Sequence, residues 1–384
     1  MRGKIGKISF LLLLVLVLSG CWDYEDINKR SITLSLGIDK KDGDIIFNGE
    51  IAQLVSSSNK IGSTASITDV YQFNSMGKDF EEARYNFDYK IPTMDFSGSV
   101  ISVVISKEYA QEIGLESYIN RFSFISGFRP SALVVISEQH TEELFKEKVL
   151  NDISTGHSIQ DIVRYLERGG TSIYTTIQNV RQNISFKEIG FLLPYIKKEK
   201  DTIEYLGLAV IKDSKFIGVI KAGDSTGTIY LINNKASHDE TIPNPQNKDN
   251  LLSIKTKIKK KKITTSVVDN KINIDVNLDL NSMILYEYTR QSISKETVKE
   301  LETIIANKVK EEVISSIERS QQEFKSDIFG FARYFKADNP QIYKTINWIE
   351  EYPNVSFNVH VKSKITSFNL INTKVKENYK DVTE

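Results

Sequence analysis

"SKETVKELETIIANKVKEEVISSIERSQQEFK", residues 294–325, is the longest helical pattern in the chain. Its apolar positions Val298, Leu301, Ile305, Val309, Val313, Ile317 and Phe324 keep mostly to steps of three or four, the spacing of one buried stripe along a helix. Such a stripe needs a surface to lie on, and the flanking sequence supplies one. Leu251 to Val267 and Lys271 to Leu280 read as a hairpin turning at Asp269-Asn270. Beyond the helix, Val355, Phe357, Val359, Val361 and Ile365 alternate with Ser356, Asn358, His360 and Lys362, as a strand with one buried face does. Between helix and strand, Tyr343 to Tyr352 is amphipathic and places Trp348 in the core. Hairpin, long helix and closing strand predict an antiparallel sheet packed by one helix.

Upstream the rhythm changes. Tyr205 to Ile211 and Phe216 to Ile220 form a hairpin around Lys212-Asp213-Ser214, and residues 233–250 are a polar connector containing Pro243 and Pro245. Ile32, Leu34, Leu36 and Ile38 alternate with polar residues, and the turn Lys41-Asp42-Gly43-Asp44 leads into a second strand, Ile45 to Val55. Residues 56–66 are a polar loop and Gly77 to Tyr89 a helix. Val100 to Ile105 and Ala132 to Ile136 are nearly continuous apolar runs with a helical pattern, Lys107 to Ile119, between them. That combination predicts a parallel pair joined by a right-handed crossover. Thr141 to Leu150 and Ser158 to Arg168 follow as helices, the second capped by Ser158 and stopped by Gly169-Gly170. The fold class expected is α+β and multi-domain, with two to three mixed α/β domains: residues 31–195, and 196–384 divisible near 233–250.

The amino terminus sets the compartment. Arg2, Lys4 and Lys7 precede a run from Ile8 to Leu18 that is apolar except for Ser9. A run of about eleven residues is too short for a bilayer, which needs roughly 20, so residues 1–20 read as a signal peptide. Leu18-Ser19-Gly20-Cys21 has the form of a bacterial lipobox, in which the cysteine becomes the first mature residue and its thiol accepts lipid. Residues 21–30 are then a lipidated tether, and Trp22 suits the headgroup level of a membrane. Cys21 is the one cysteine, so the exported body has no thiol left for a disulfide.

Catalysis finds no foothold. His140, His157, His238 and His360 are scattered without ligand spacing, so no metal or other cofactor is expected. Asp224-Ser225-Thr226-Gly227 looks like an aspartic-protease loop but has one residue too many and no second copy. No nucleophile elbow or phosphate-binding glycine loop is found, and Gly169-Gly170 closes a helix instead of opening one. Lys+Arg and Asp+Glu each number 50, and that balance gives no reason to expect nucleic acid as a partner. The sharpest charge feature is Lys255, Lys257 and Lys259 to Lys262. Lys255, Lys257 and Lys259 at every second position would share one strand face, which could rest on anionic headgroups. The plainer reading is a solvated face or a protected sheet edge.

Three stretches together resemble the Ger(x)C family, the lipoprotein C subunits of nutrient germinant receptors in endospore-forming bacteria. They are Gly20-Cys21-Trp22-Asp23 with Ile27-Asn28 and Gly37-Ile38-Asp39; Leu206-Gly207-Leu208-Ala209-Val210-Ile211-Lys212-Asp213-Ser214-Lys215-Phe216-Ile217-Gly218 with Gly227 to Asn234 downstream; and Asp327-Ile328-Phe329-Gly330-Phe331 followed by Trp348 and the closing strand. Met94-Asp95-Phe96 stands where the family often has a histidine, and an arginine-rich stretch is reduced to Arg121 and Arg129. The resemblance implies a three-domain mixed α/β architecture and a lipid anchor at the outer face of the spore inner membrane. It also implies assembly with integral-membrane A-type and B-type receptor subunits, one of which is thought to carry the germinant site. The alternative is a lipid-anchored solute-binding protein of a transporter, whose lobes are usually repeated βαβ units around a cleft. A lipoprotein enzyme is a third class, disfavoured by the missing constellations.

Overall fold

Asp42 and Gly43 both hold positive φ, 53° and 88°, the left-handed pair that a two-residue hairpin turn requires. The chain therefore reverses between β1 (Arg30–Lys41) and β2 (Asp44–Val55). Asp213-Ser214 and Asp269-Asn270 repeat the device, with φ of 49° and 61° and of 50° and 59°. The computed structural model describes residues 30–368 apart from 56–65, 92–93, 125–126, 147, 151 and 289–292. Cys21, Trp22, the apolar leader and nearly all of the loop read at 56–66 lie outside the described residues.

The chain continues through β3 (Ser66–Gly77), α1 (Phe80–Asp88), β4 (Met94–Phe96), β5 (Ser102–Ser106), α2 (Lys107–Glu112), α3 (Glu116–Arg121) and β6 (Leu133–Ser137). Next come α4 (Thr141–Lys146), α5 (Thr155–Gly169), α6 (Ile177–Ser185), β7 (Phe191–Glu199), β8 (Thr202–Lys212) and β9 (Lys215–Lys221). All the strands to this point form one sheet in the order β3-β2-β1-β5-β6-β7-β8-β9, with β4 beside β1. β1, β5, β6 and β7 run parallel, as the two apolar runs predict for β5 and β6, and the hairpins at either end are antiparallel. Alternate residues of the buried strands serve opposite faces. Val103, Ile105 and Val134 pack against α1, α2, α3 and α6, while Val104, Val135 and Ile196 pack against α4 and α5.

Three local expectations shift. The helix expected over 107–119 breaks into α2 and α3 at Gly114, whose φ is +91°. The helix after the second parallel strand ends at Lys146. α5 starts one turn before Ser158, because Ser154 is its cap and accepts from the His157 N–H. Gly156 in that added first turn passes so close to Ser35 and Ser102 that a Cβ would lie 2.6 Å from one side chain and 2.8 Å from the other. At the far end Gly170 closes the helix with φ 77°, as the glycine pair indicates.

The second sheet is built from β10 (Ser237–Asn244), β11 (Asn247–Val268), β12 (Lys271–Glu287) and β13 (Ser356–Phe368), in that order. α7 (Thr226–Ile232) precedes it, and α8 (Lys295–Gln322), α9 (Phe331–Asp338), α10 (Pro340–Tyr343) and α11 (Trp348–Glu351) lie between β12 and β13. The stretch read as a polar connector holds β10. Pro243 is tolerated there because β10 pairs on one side only, with β11. β13 joins β12 in parallel, so the sheet is mixed at its last strand: the chain crosses over through α8 and returns in the same direction.

Ser294 caps α8, and Val298, Leu301, Ile305, Val309, Val313, Ile317 and Phe324 are all buried, as the stripe requires. They meet Ile274, Val276, Leu278 and Leu280 of β12 in one core. The same core takes in Leu192, Leu208, Val210 and Ile220 from the first sheet, so the β8–β9 hairpin bonds to one unit and lends apolar surface to the other.

Candidate functional site

Two of the stretches that carry the family resemblance, Gly37-Ile38-Asp39 and Asp327-Ile328-Phe329-Gly330-Phe331, contribute buried acids that hold helices in place. Asp39 closes Gly37-Ile38-Asp39 at the end of β1 and is fully buried. It accepts from Thr141 N at 2.7 Å, opening α4, and from Ser106 Oγ at 2.6 Å. His140 Nδ1 stands 3.0 Å from both carboxylate oxygens, and its Nε2 lies 3.4 Å from Glu108. The hydrogen bond to Asp39 raises the imidazole pKa above its usual value. Serine, histidine and aspartate are thus adjacent, but in the wrong order for a nucleophile. Ser106 donates to the carboxylate, whereas an activated serine must face the imidazole. The arrangement does the work of a cap. Gly37 allows it, because a Cβ there would lie 2.1 Å from Asn48 Oδ1 and 2.9 Å from Thr141 Cβ.

Glu50 performs the same service for α5. Only 1% exposed on β2, it accepts from Thr155 N at 2.8 Å, Gly156 N at 2.9 Å and Ser35 Oγ at 2.7 Å. A helix N-terminus carries unpaired N–H groups and partial positive charge, so a carboxylate there satisfies both.

Asp327 is the third. It accepts from Ala332 N at 2.7 Å, Phe331 N at 3.0 Å and Phe329 N at 3.3 Å, and from the buried Trp348 indole Nε1 at 3.1 Å. Gly330, with φ 75°, lets the chain turn into α9. Trp348 stacks on Phe335, with ring centroids 5.4 Å apart, which confirms its place in the core. The Asp327 carbonyl also accepts from Gly190 N, tying this corner to the first sheet.

Glycines of the middle stretch act by close approach. At Gly207, φ +137°, a Cβ would lie 2.1 Å from the Ile220 carbonyl. At Gly227 it would lie 2.1 Å from the Glu312 carbonyl of α8. The protease-like Asp224-Ser225-Thr226-Gly227 is therefore the entry to α7 where that helix packs on α8. It borders an open cleft of about 600 Å³ with Glu311, Glu312 and Arg319.

The lysine run divides three ways. Lys255 pairs with Asp239 of β10 at 2.8 Å. Lys257 is exposed, and Lys259 falls at a bulge between Ile258 and Lys260, so strict alternation ends there. Lys261 turns inward and donates to the carbonyls of Leu231, at 2.6 Å, and Tyr230, at 3.3 Å, in the last turn of α7. Burial pushes its pKa down to about 8 from 10.5. Between those values the unfolded chain holds a proton that the folded chain has released, so stability rises with pH across that window. Urea titrations from pH 7.5 to 10.5 should show Lys261→Met losing, relative to the unsubstituted chain, roughly 2 kcal/mol of that rise. Parallel curves for the two proteins would refute the assignment.

Among the described residues no group of three or more His, Cys, Asp or Glu side chains is placed to hold a metal ion. Nor, among the same residues, is any helix long and apolar enough to cross a membrane.

Matches along nearly the whole described body place this two-sheet α/β chain in the class of spore germination proteins of the GerAC type. Residues 23–198 match the spore germination protein N-terminal domain, and residues 206–369 match the spore germination B3/GerAC-like C-terminal domain. The chain belongs to the Ger(x)C family. It is 21% identical to spore germination protein B3 of Bacillus subtilis (strain 168) over 384 residues, covering 95% of this chain and 98% of that one. Spore germination protein A3 of the same strain is 28% identical over 216 residues, 54% of this chain and 55% of its own. The crystal structure of the GerBC protein superposes with a TM-score of 0.54 at 16% identity, covering 91% of this chain and all of that one, which shows a shared fold.

Proposed function

We propose that this chain is the lipid-anchored C-type subunit of a spore germinant receptor, without catalytic activity of its own. The observation that carries this reading is the position of Leu18-Ser19-Gly20-Cys21, directly behind the apolar run and just ahead of β1 at Arg30. Acylated Cys21 holds the body at the outer face of the spore inner membrane, with Trp22 at headgroup depth. Domain surfaces then engage the A-type and B-type integral-membrane subunits during nutrient-triggered germination. Two observations favour binding over chemistry: the buried carboxylates Asp39, Glu50 and Asp327 are each committed to backbone N–H groups, and the Ser106–Asp39–His140 cluster is ordered as a cap. As units of sequence we keep 31–195 and 196–384, the latter divisible near 233–250, with the β8–β9 hairpin as the seam.

Cys21→Ala tests the reading. Spores carrying it should show the protein absent from the inner-membrane fraction and a nutrient response reduced at least about tenfold, since an unacylated chain loses the transfer energy of its lipid, about 0.8 kcal/mol per methylene. A normal response from spores in which the protein is found unanchored would defeat it.

A further inference from the structure

Among the described residues, one face of the second sheet packs on α8, and the residues of the other face are exposed or half-buried. On that other face β11, β12 and β13 stand in register, so their residues form rows across the strands: Lys257–Asn281–Lys364, then Lys260–Asp279–Lys362, then Lys262–Asn277–His360. Lys257, Lys260, Lys262, Lys362 and Lys364 are all exposed, and Asp279 is the one acid in those rows. The bulge at Lys259 resets the phase of β11. Inward-pointing Leu278 and Leu280 stay in the core, and beyond the bulge Lys260 and Lys262 face outward while Lys261 between them faces in. Strand spacing separates the β11 and β13 lysines of a row by about 10 Å, and successive rows by about 7 Å. The result is an array of positive charge held in register by the strands. Along the same face, opposite Ser253, stands Tyr286, 54% exposed and in edge-to-face contact with Tyr288, 58% exposed, at 5.0 Å.

Lysines on edge strands discourage pairing with other chains, but that role does not call for exposed tyrosines beside them. Aromatic rings with polar tips next to a plane of lysines are the chemistry of a membrane–water interface. We propose that this sheet face docks on the anionic headgroups of a lipid bilayer. The proposal builds on the lipid-anchor reading. The residues from Cys21 to Lys29 reach at most about 30 Å when extended, which holds the body beside the bilayer and makes individually weak contacts count. Charge complementarity selects anionic over neutral lipid. Asp239 neutralises Lys255, so the docking residues are Lys257, Lys260, Lys262, Lys362 and Lys364, and the contribution of β13 is one the lysine run alone does not announce.

The test uses the full-length protein with vesicles of phosphatidylcholine, with or without phosphatidylglycerol, in excess. Lysine acetylation is followed by mass spectrometry, which also reads the state of Cys21. With phosphatidylglycerol present, the docking lysines should react about fivefold more slowly, a factor of the size expected for one lysine at an anionic surface. The exposed Lys78 and Lys148 of the first unit should be unaffected. Salt should abolish the protection, since screening shortens the reach of these charges. The double variant Lys260→Glu/Lys362→Glu, at solvated positions, should melt normally yet expose Lys257, Lys262 and Lys364 to the reagent. Equal rates in the two vesicle types would overturn the proposal. So would protection seen only in spore membranes containing partner subunits, which would make the face a protein contact. An unmodified Cys21 would sink the anchor reading alone, because excess vesicles report docking by soluble chain as well.

Discussion

Asp327→Ala lowers the stability of the chain by about 4 kcal/mol and shifts Trp348 fluorescence to the red in the fraction still folded. Four donors, the N–H groups of Phe329, Phe331 and Ala332 and the indole of Trp348, converge on this carboxylate. Hydrogen bonds to a charged acceptor contribute about 1.5–3 kcal/mol each, and a buried donor left unpaired costs about 1–3 kcal/mol. The contributions are not additive, because water follows the truncation, and about 4 kcal/mol is the net expectation. Burial raises the pKa of this carboxyl against the lowering effect of its donors, so its value to the fold lies in accepting bonds more than in carrying charge. Asp327→Asn, which keeps one accepting oxygen and presents an amide N–H₂ to the other donors, should recover about half of the loss. A denaturation midpoint for Asp327→Ala within about 1 kcal/mol of the parent would show that the corner is held by packing instead. The stacked Phe335 and Trp348, with Tyr343 and Tyr352 beside them, would be the surface responsible.

Periodicity and turn chemistry carried most of the fold. The stripe from Val298 to Ile317 and the turns at Asp42-Gly43, Asp213-Ser214 and Asp269-Asn270 are local signals, each decided within a few residues. Elements went unread where local signal was thin. β3 buries Phe73, Ser75 and Gly77 at alternate positions between exposed Tyr71, Asn74 and Met76, so over that stretch Phe73 alone is a large apolar inward residue. β7 contains Pro194, which argues against a central strand, yet its pairing with β6 begins only at Tyr195. The parallel entry of β13 depends on where a crossover returns, which alternation cannot encode. Of the caps, Asp327 was legible in principle: an acid four and five residues before the N–H groups it accepts from, with Gly330 between. Asp39 and Glu50 were not, because their helices begin 102 and 105 residues away. No property of Asp39 or Glu50 in the linear chain says which N-terminus will arrive above it. The basic face was legible only in part: the lysine run marks β11, but Lys362 and Lys364, two of its five lysines, stand on β13, which no local signal places beside it.

Glu50→Ala carries the second large expectation, a loss of about 3 kcal/mol concentrated in α5. Two backbone N–H groups, of Thr155 and Gly156, and the Ser35 hydroxyl would lose their acceptor inside the protein. Ser154 would still cap the helix through His157 N, so α5 should persist as a helix but sit less firmly on the sheet. That distinction is measurable. Hydrogen exchange should accelerate by about two orders of magnitude from Thr155 through Val163, as expected for a local opening made about 3 kcal/mol easier. The amides of α8, whose stripe packs in a different core, should keep their protection. Glu50→Gln retains one acceptor, and its loss should be roughly half as large. Acceleration spread evenly over both sheets would mean that the two units open together through the shared Leu208 and Val210 surface. The acid under α5 would then be a support of the whole body and not of one helix.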